Sequence, residues 1–350
     1  MKLLRKTNPN EKTQVGVESN ISVASPNNFR LGVFISNYML EIVLICLIIG
    51  IASLTPGFFT TANMLNVLRN ASLTGVIAFG MTITIITGQI DLSVGSAVAL
   101  YGVVAARVTE ILQAHGMPNT YGVLIGIAAA LALSVVLGTL MSLIHIKFNI
   151  PTFIISLACL NIYFGVAAIL SRGFPITVFP SWYNQIGAGR LFGVPYPAIV
   201  LLIVFVVVFI IMKYTRLGRE AYAVGGNGEA ARLCGINIPK VKIACMIAPQ
   251  FLAAVSSILL TAQVMSASSQ FGRGFEMTVI SSVIIGGASL FGGVGKVWGT
   301  FLGIIFLAII SNGMTILNIS EFMQFVVRGG LILVAVTVNT VVGNRQQAAA

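Results

Sequence analysis

Ten apolar runs, most of them long enough to cross a bilayer, follow one another along the chain. A membrane-spanning helix needs about 20 mainly apolar residues. The runs lie at 33–54, 64–87, 92–112, 121–146, 152–170, 194–213, 243–265, 277–291, 297–317 and 322–342. The run at 277–291 is short and ends in glycine, which indicates a partial or tilted helix. The pattern predicts an all-α polytopic membrane protein of nine or ten transmembrane helices.

The composition agrees with this fold class. The chain is 57% hydrophobic and only 8% charged, whereas soluble proteins carry roughly a quarter charged residues. Little room remains for a separate soluble domain. Residues 1–31 are polar and lack the apolar segment of a cleaved signal peptide, so we expect a disordered cytoplasmic tail there. The predicted transmembrane domain covers 32–342, and a C-terminal tail covers 343–350.

The net charge of +11 could indicate nucleic-acid binding, but the positive residues punctuate the loops between apolar runs. Cytoplasmic loops of membrane proteins are enriched in Lys and Arg. With the N-terminus inside and ten spans, 14 of the 20 basic residues fall on the inner side and 6 on the outer side. The count predicts a cytoplasmic N-terminus and a cytoplasmic location for the loop 214–242.

Chemistry-bearing clusters are sparse in this sequence. The four cysteines and two histidines have no metal-ligand spacing. GGVGKV (292–297) resembles a phosphate-binding loop but lacks the spaced first glycine and the Ser or Thr after Lys296. We therefore expect no catalytic residue, metal or cofactor on this chain, and any ATP hydrolysis would occur on another chain. A membrane-embedded enzyme would need clustered acids, histidines or metal ligands at a membrane face, and none is visible.

The segment 214–242, called here the charged island, holds a concentration of charge found nowhere else between the apolar runs. Asn227 is a good N-cap for a short helix at 228–234, and Gly235 stands where a left-handed residue ends a helix. Ile236 supplies an apolar contact to the last turn, and Pro239 stops the helix from continuing. A helix this short is marginal alone, so we expect it to dock against a partner.

The island also carries a family resemblance. Glu229-Ala230-Ala231, three residues and then Gly235 resemble the EAA loop of ABC importer permeases, which sits in a groove of the ATPase subunit. GREAYAVGGNGEAARLCGIN is similar to the corresponding loop of the ribose-type monosaccharide ABC permeases. ITGQIDLSVGS (86–96) and FEMTVISSVIIGGASLFGGVGKVWGT (275–300) resemble the first and last signatures of that family. The resemblance extends over about 56–339, with two departures: Gln89 replaces a glycine, and Phe164-Gly165 replaces an Arg-Gly.

The resemblance implies the type II ABC importer permease fold in a bacterial inner membrane. It further implies a permease subunit that translocates a monosaccharide, a ribose-like pentose or a hexose, delivered by a periplasmic binding protein. The implied partners are an ABC ATPase subunit, which holds ATP and Mg²⁺, and a second permease subunit, identical or different. The alternatives are a branched-chain amino acid or nucleoside ABC permease, or an ion-coupled secondary transporter, for which the chain offers few membrane-embedded acids.

Two sets of residues follow as site candidates. The predicted ATPase-coupling residues are Gly218, Arg219, Gly225, Gly226, Asn227, Glu229, Ala230, Ala231, Arg232, Gly235 and Pro239. Of these, Ala230, Ala231 and Gly235 would allow close contact with the ATPase, and Arg219 and Arg232 would meet its acidic groups. The candidate translocation path comprises Thr87, Gln89, Asp91, Ser93, Asn161 and Gln263.

Each candidate has a structural alternative. Asp91 would N-cap a helix that starts near Leu92. Polar residues inside the spans would hydrogen-bond helix to helix, as they commonly do in membranes. They are Thr82, Thr84, Asn161, Gln250, Ser256, Ser257 and Gln263. Arg273 and Glu276 would pair with each other, cap the next helix or contact the binding protein, and the structural roles are favoured. Glycine-interrupted breaks at 87–96 and 286–299 are typical of segments that flank a substrate path.

The longest predicted outer loop, 171–193, has two interpretations. It would meet the binding protein, or Trp182 and Tyr183 would anchor the chain at the membrane interface.

Overall fold

The computed structural model describes residues 39–55 and 57–348, so the predicted tail 1–31 lies outside the described residues. Within them the chain forms helices and one short hairpin. The α-helices are α1 (Met39–Leu54), α2 (Thr61–Ile86), α3 (Val94–Ala114), α4 (Asn119–Phe148), α5 (Thr152–Ser171), α6 (Asn184–Ala188), α7 (Tyr196–Tyr214), α8 (Arg216–Gly226), α9 (Gly228–Leu233), α10 (Ile238–Val264), α11 (Phe275–Ile285), α12 (Val297–Ile316) and α13 (Glu321–Ala348). The hairpin pairs β1 (Arg190–Leu191) with β2 (Val194–Pro195), and a 3₁₀ turn covers Ser181–Tyr183.

The all-α prediction is confirmed, and the described part of each predicted apolar run coincides with a helix. Among the described residues, seven helices are long and apolar enough to cross a membrane, and three apolar helices are shorter. The shorter ones include Phe275–Ile285, where a partial helix is predicted. It ends earlier than the run at 277–291 because Gly286 and Gly287 follow, and Gly287 has φ +85°. The helix α13 continues to Ala348, beyond the predicted domain end at 342.

The helix α2 forms the centre of the bundle and is the most buried of the seven spanning helices. It crosses α10 closely, because a Cβ on Gly80 would lie 2.7 Å from Pro249 Cα. Hydroxyls on both helices fix the crossing: Ser256 Oγ donates to Leu73 O over 2.6 Å, and Thr84 Oγ1 donates to Cys245 O over 2.8 Å. These bonds satisfy polar groups that lipid could not satisfy.

The outer surface of the bundle is apolar. The helices α5 and α7 expose large side chains such as Phe153, Ile162, Ile203 and Val206. Helices that are apolar on their exposed face match a hydrocarbon surrounding. The structure is therefore that of a multi-pass membrane protein.

One end of the bundle collects the segments that are predicted to be cytoplasmic. Lys242 Nζ lies 3.0 Å from His145 Nε2, which brings the island beside the α4–α5 turn. The loop 286–296 contacts the island at Gly225. The segments predicted to be outer meet at the opposite end, where Ile176 pairs with Ala267 and Arg107 Nε donates to Leu170 O over 2.8 Å.

Tyr183 in the loop 171–193 is not an interfacial anchor. Its side chain is fully buried, stacks on Phe179 with ring centroids 4.5 Å apart, and makes a 2.9 Å hydrogen bond with Thr261 Oγ1. Burial raises the pKa of Tyr183 to about 12. That interpretation is therefore wrong for Tyr183, because the loop packs onto α10 and takes the ring with it.

The contact between α11 and α12 depends on small residues. A Cβ on Gly303 would overlap the carbonyl oxygen of Ser282. A Cβ on Gly299 would overlap the carbonyl oxygen of Gly286 in the same way. Such close approach is typical of helix packing in membranes.

Replacing Gly303 with Ala is expected to destabilise the protein by about 1–3 kcal/mol, because the added methyl group overpacks a closed contact. Thermal unfolding of the detergent-solubilised chain measures this as a lower Tm. The control is Gly165→Ala, also inside a helix, where a Cβ meets nothing within 4 Å. Equal Tm values for the two variants would show that the α11–α12 contact is not tight.

Candidate functional site

The charged island folds as two helices, of which only the second is predicted from its capping residues. The first, α8, begins after Thr215, whose side chain accepts a hydrogen bond from Gly218 N. Its buried face carries Gly218, Ala221 and Val224. The helical spacing of Ala221 and Val224, with Leu217 one turn earlier, was the signal that could have identified this helix.

The second helix, α9, confirms the capping prediction to within one residue. Asn227 Oδ1 accepts from Ala230 N at 3.0 Å. Gly235 is left-handed with φ +80°, and Ile236 N donates back to Ala231 O over 3.1 Å. This pattern is the Schellman ending, which satisfies the last carbonyls of a helix. Pro239 stands in the first turn of α10, so it starts the next helix.

The island has an exposed face and a buried face, and the predicted coupling residues are divided between them. Most of them are exposed, namely Arg219, Gly226, Asn227, Glu229, Ala230, Arg232, Gly235 and Pro239. Ala231 is only 4% exposed and packs into the chain's own core, so its contact with a partner stays a prediction. Leu233, which the sequence analysis missed, is 81% exposed.

Gly225 serves a contact within the chain. A Cβ at this position would overlap Ile86 O, the carbonyl oxygen of the last residue of α2. The same oxygen accepts a 2.8 Å hydrogen bond from Gly293 N. Glycine is required here because three backbone segments meet without space for a side chain. Gly225 therefore joins the island to the end of α2 and to the loop 286–296.

A second bond strengthens this junction. Tyr222 in α8 donates its hydroxyl proton to Gly295 O over 2.7 Å. Burial raises the pKa of Tyr222, which keeps the hydroxyl protonated and able to donate. The island thus holds the C-terminal part of the loop 286–296 at two residues, Gly293 and Gly295.

The break between α2 and α3 is organised by Asp91, which is fully buried. Its Oδ1 accepts from Ser93 N at 2.8 Å and from Ser93 Oγ at 2.6 Å. Its Oδ2 accepts from Gln250 Nε2 at 2.6 Å, and Gln250 Oε1 accepts from the Tyr101 hydroxyl. The carboxylate is thereby satisfied, as buried polar groups usually are.

The capping alternative for Asp91 is wrong in its details. The helix α3 begins at Val94, not near Leu92, and its N-cap residue Ser93 makes no side-chain cap bond. The Asp91 carboxylate instead closes a turn just ahead of the helix. It also binds the middle of α10, a long-range contact that local sequence rules do not describe.

The candidate path residues do not form one site. Thr87, Gln89, Asp91 and Ser93 are buried along the break between α2 and α3. Gln89 Nε2 is buried without a hydrogen-bond partner in the described chain. The backbone of Gln263 packs against Gly187 at the opposite end, whereas Asn161 is exposed and lines a cavity. Their contact with substrate stays a prediction.

Several polar groups within the spans do bond helix to helix, as the structural alternative predicts. Besides the two hydroxyls between α2 and α10, Thr82 Oγ1 lies 2.7 Å from Thr300 Oγ1, and Ser257 Oγ donates to Val98 O over 2.6 Å. Asn161 is different, because its amide donates only within its own helix, to Leu157 O.

The cavity beside Asn161 has a volume of about 260 Å³. Its lining residues are Ser96, Leu160, Asn161, Phe164, Ser269, Phe271, Arg273 and Glu276. The two signature segments, far apart in sequence, meet at its wall, because a Cβ on Gly95 would overlap Glu276 Oε2. The sequence patterns favour a structural role for Glu276 and do not predict this contact.

Comparison with known proteins identifies the family. The family model described as the branched-chain amino acid transport system / permease component matches residues 63–336. The chain belongs to this permease family. The ribose import permease protein RbsC of Escherichia coli strain K12 is 37% identical over 302 residues, 85% of this chain and 92% of the relative.

Other relatives in this permease family are similar over most of the chain. RbsC of Bacillus subtilis strain 168 is 34% identical over 88% of this chain and 91% of its own length. The L-arabinose transport system permease protein AraH of Escherichia coli strain K12 is 33% identical over 91% of this chain and 95% of its own. These relatives confirm the resemblance to ribose-type ABC permeases. No solved structure matches the chain.

Replacing Asp91 with Ala is expected to destabilise the permease by about 1–3 kcal/mol, because it removes the charged acceptor of three buried donors, Gln250 Nε2, Ser93 N and Ser93 Oγ. Asp91→Asn is expected to cost much less. The Gln250 amide can turn over, so that its oxygen accepts from the new amide and its nitrogen donates to Tyr101. Thermal unfolding in detergent separates the two variants, and equal losses of Tm would contradict the network's role.

Proposed function

We propose that the chain is the membrane-spanning subunit of an ATP-driven importer that translocates a monosaccharide, a ribose-like pentose or a hexose. Support for the substrate class comes from relatives named for ribose and L-arabinose, each covering more than four fifths of the chain. The family description names branched-chain amino acids, and that substrate class is the alternative.

The observation that carries the mechanism is the junction at Gly225. The island contacts Ile86 and Gly293 there, and Tyr222 bonds Gly295. Ile86 precedes the break at 87–96, and both loop residues belong to the break at 286–299. If the island moves, its tightly packed backbone contacts would therefore transmit the movement to both interrupted segments, without a flexible connection between them.

The exposed face of the island fits a docking role. Leu233 projects from α9 at 81% exposure, and beside it Arg232 Nη2 pairs with Glu229 Oε2 at 3.0 Å. An apolar anchor within a polar rim is the usual composition of an energetic centre in an interface. We assign this face to a separate ATPase subunit, which binds ATP and Mg²⁺ and closes on them.

The opposite end carries a projecting hairpin. Phe192 at its tip is 98% exposed, and its φ of +51° holds the tip in a tight turn. We assign this end to a periplasmic binding protein, with the N-terminus and the island cytoplasmic, as the distribution of basic residues favours. A second permease subunit completes the assembly.

The docking face is tested by Leu233→Asp. A pull-down of the tagged chain from detergent-solubilised native membranes is expected to recover an ABC ATPase with the wild type. The variant is expected to lose it, because a charge replaces the apolar anchor. Phe192→Asp is the matched control at the other end and is expected to keep the ATPase while sugar uptake falls. If no ATPase co-purifies with the wild type, even after crosslinking, the ion-coupled alternative is favoured.

The junction is tested by Gly225→Ala. Its methyl group would overlap Ile86 O, whereas the same change at Gly226 meets nothing within 4 Å. We expect Gly225→Ala to lower the initial rate of uptake about tenfold or more, since small displacements of functional geometry have effects on this scale. The ATPase is expected to remain bound. Gly226→Ala is expected to retain a higher rate of uptake than Gly225→Ala, and equal uptake by the two variants would rule out the junction as the coupling route.

A further inference from the structure

We propose that the cavity of about 260 Å³ between α3, α5 and the start of α11 is a substrate subsite that holds one neutral, polyhydroxylated ring during translocation. The proposal rests on the proposed function and deepens it. None of the predicted path residues except Asn161 contributes to this cavity.

The cavity lies near the middle of the membrane-spanning bundle. Ser93 Oγ accepts a 2.9 Å hydrogen bond from Gln250 Nε2, and Gln250 is at the midpoint of the spanning helix α10. Ser96 and Gly95 follow Ser93 by less than one helical turn. Glu276 lies against Gly95, so its carboxylate is far from either end of the bundle.

An acid at this depth is costly unless it serves a purpose, and intramembrane ionisable residues usually mark transport pathways. The structural alternatives for Glu276 account for part of its surroundings. Its carboxylate interacts with the backbone N–H groups of Gly274 and Glu276 at the start of α11 and with the charge of Arg273. The ion pairs that the structure shows within its described residues involve neither Arg273 nor Glu276. The carboxylate is half-buried and faces the cavity.

The remaining lining residues supply what a sugar ring requires. Arg273 offers planar donors, Asn161 offers both a donor and an acceptor, and Glu276 offers two acceptor oxygens suited to neighbouring hydroxyls. Ser96 and Ser269 add hydroxyl groups, and Phe164 and Phe271 supply apolar surface. The phenylalanine at 164 is also one of the two departures from the family pattern. A few directed polar groups on an apolar wall are typical of small-ligand sites.

The charges on the wall favour an uncharged ligand. Arg273 and Glu276 are the charged residues of the lining and cancel each other. A neutral polyol would bond both without leaving a net charge at this depth. An amino acid would place its carboxylate on Arg273 and its ammonium on Glu276, which makes it the rival occupant for the test.

The test is protection of an introduced thiol at the cavity wall. The full chain with its ATPase and binding protein, carrying Asn161→Cys with Cys46 and Cys159 replaced by Ser, is treated with a small methanethiosulfonate reagent. The probes are D-ribose, L-arabinose and L-leucine. At a sugar concentration about ten times Kd, labelling at position 161 is expected to slow about tenfold, by the factor 1 + [L]/Kd. Native Cys234 is exposed on the island and is the internal control, with an unchanged labelling rate.

A second variant separates a substrate contact from a structural role. Glu276→Gln keeps the shape of the side chain but replaces one acceptor oxygen with a donor. It is expected to weaken sugar protection on the order of tenfold, as expected for the loss of a hydrogen bond to a charged group. ATPase co-purification is expected to stay unchanged. Glu110→Gln, at a partly buried ion pair with Arg107 away from the cavity, is the matched control.

The outcomes are distinct. Sugar protection that depends on Glu276 supports the subsite. Absence of protection in an assembly that still binds its ATPase and imports sugar overturns the subsite and leaves the proposed function standing. Protection by L-leucine alone overturns the ligand class. An assembly without an ATPase overturns the proposed function, and the subsite with it.

Discussion

The structure depends on one constraint: where a spanning helix stops inside the bundle, its backbone must find partners within the protein, because lipid offers none. The end of α2 shows how this is achieved. Ile86 O accepts from Gly293 N, and Gly225 lies against the same oxygen. A single carbonyl group is thus shared by three segments of the chain. The contacts that satisfy this backbone carbonyl group are therefore the same contacts that connect the island to the bundle.

In the break that follows α2, hydrogen bonds of side chains meet the same requirement for partners within the protein. Asp91 turns the chain toward α3 and takes its hydrogen bonds from Ser93 and from Gln250. Since α10 begins inside the island, at Ile238, Gln250 connects the break to the island by a second route. A buried network that is fully satisfied is rigid, whereas a partly satisfied one is costly. The orphaned Gln89 amide beside it marks the point where this satisfaction is incomplete.

Local sequence patterns predict the features that interactions between neighbouring residues determine. They do not predict features that depend on contacts between distant segments. The apolar runs locate the helices because a span must be apolar over its full length. Asn227 and Gly235 locate α9 because caps act within a few residues. The sequence does not distinguish Gly225 from Gly226, although one is closed in by Ile86 and the other faces open space. It also does not show that Gly95 and Glu276 touch, because that contact arises from the packing of three helices.

The contact between the two signature segments accounts for one residue in each of them. The first supplies a glycine at position 95, and the last supplies the carboxylate of Glu276 that occupies the space a side chain would have filled. Packing alone would place an apolar residue at 276, since the following turns of α11 are apolar and buried. An acid at this depth, partly stabilised by the start of α11 and by Arg273, supplies a hydrogen-bond acceptor at the wall of the cavity, in agreement with the proposed subsite. The break between α2 and α3 exposes Ser96 beside this acceptor and is joined to the island through Ile86. A movement of the island that opens the path would therefore also reach the acceptor.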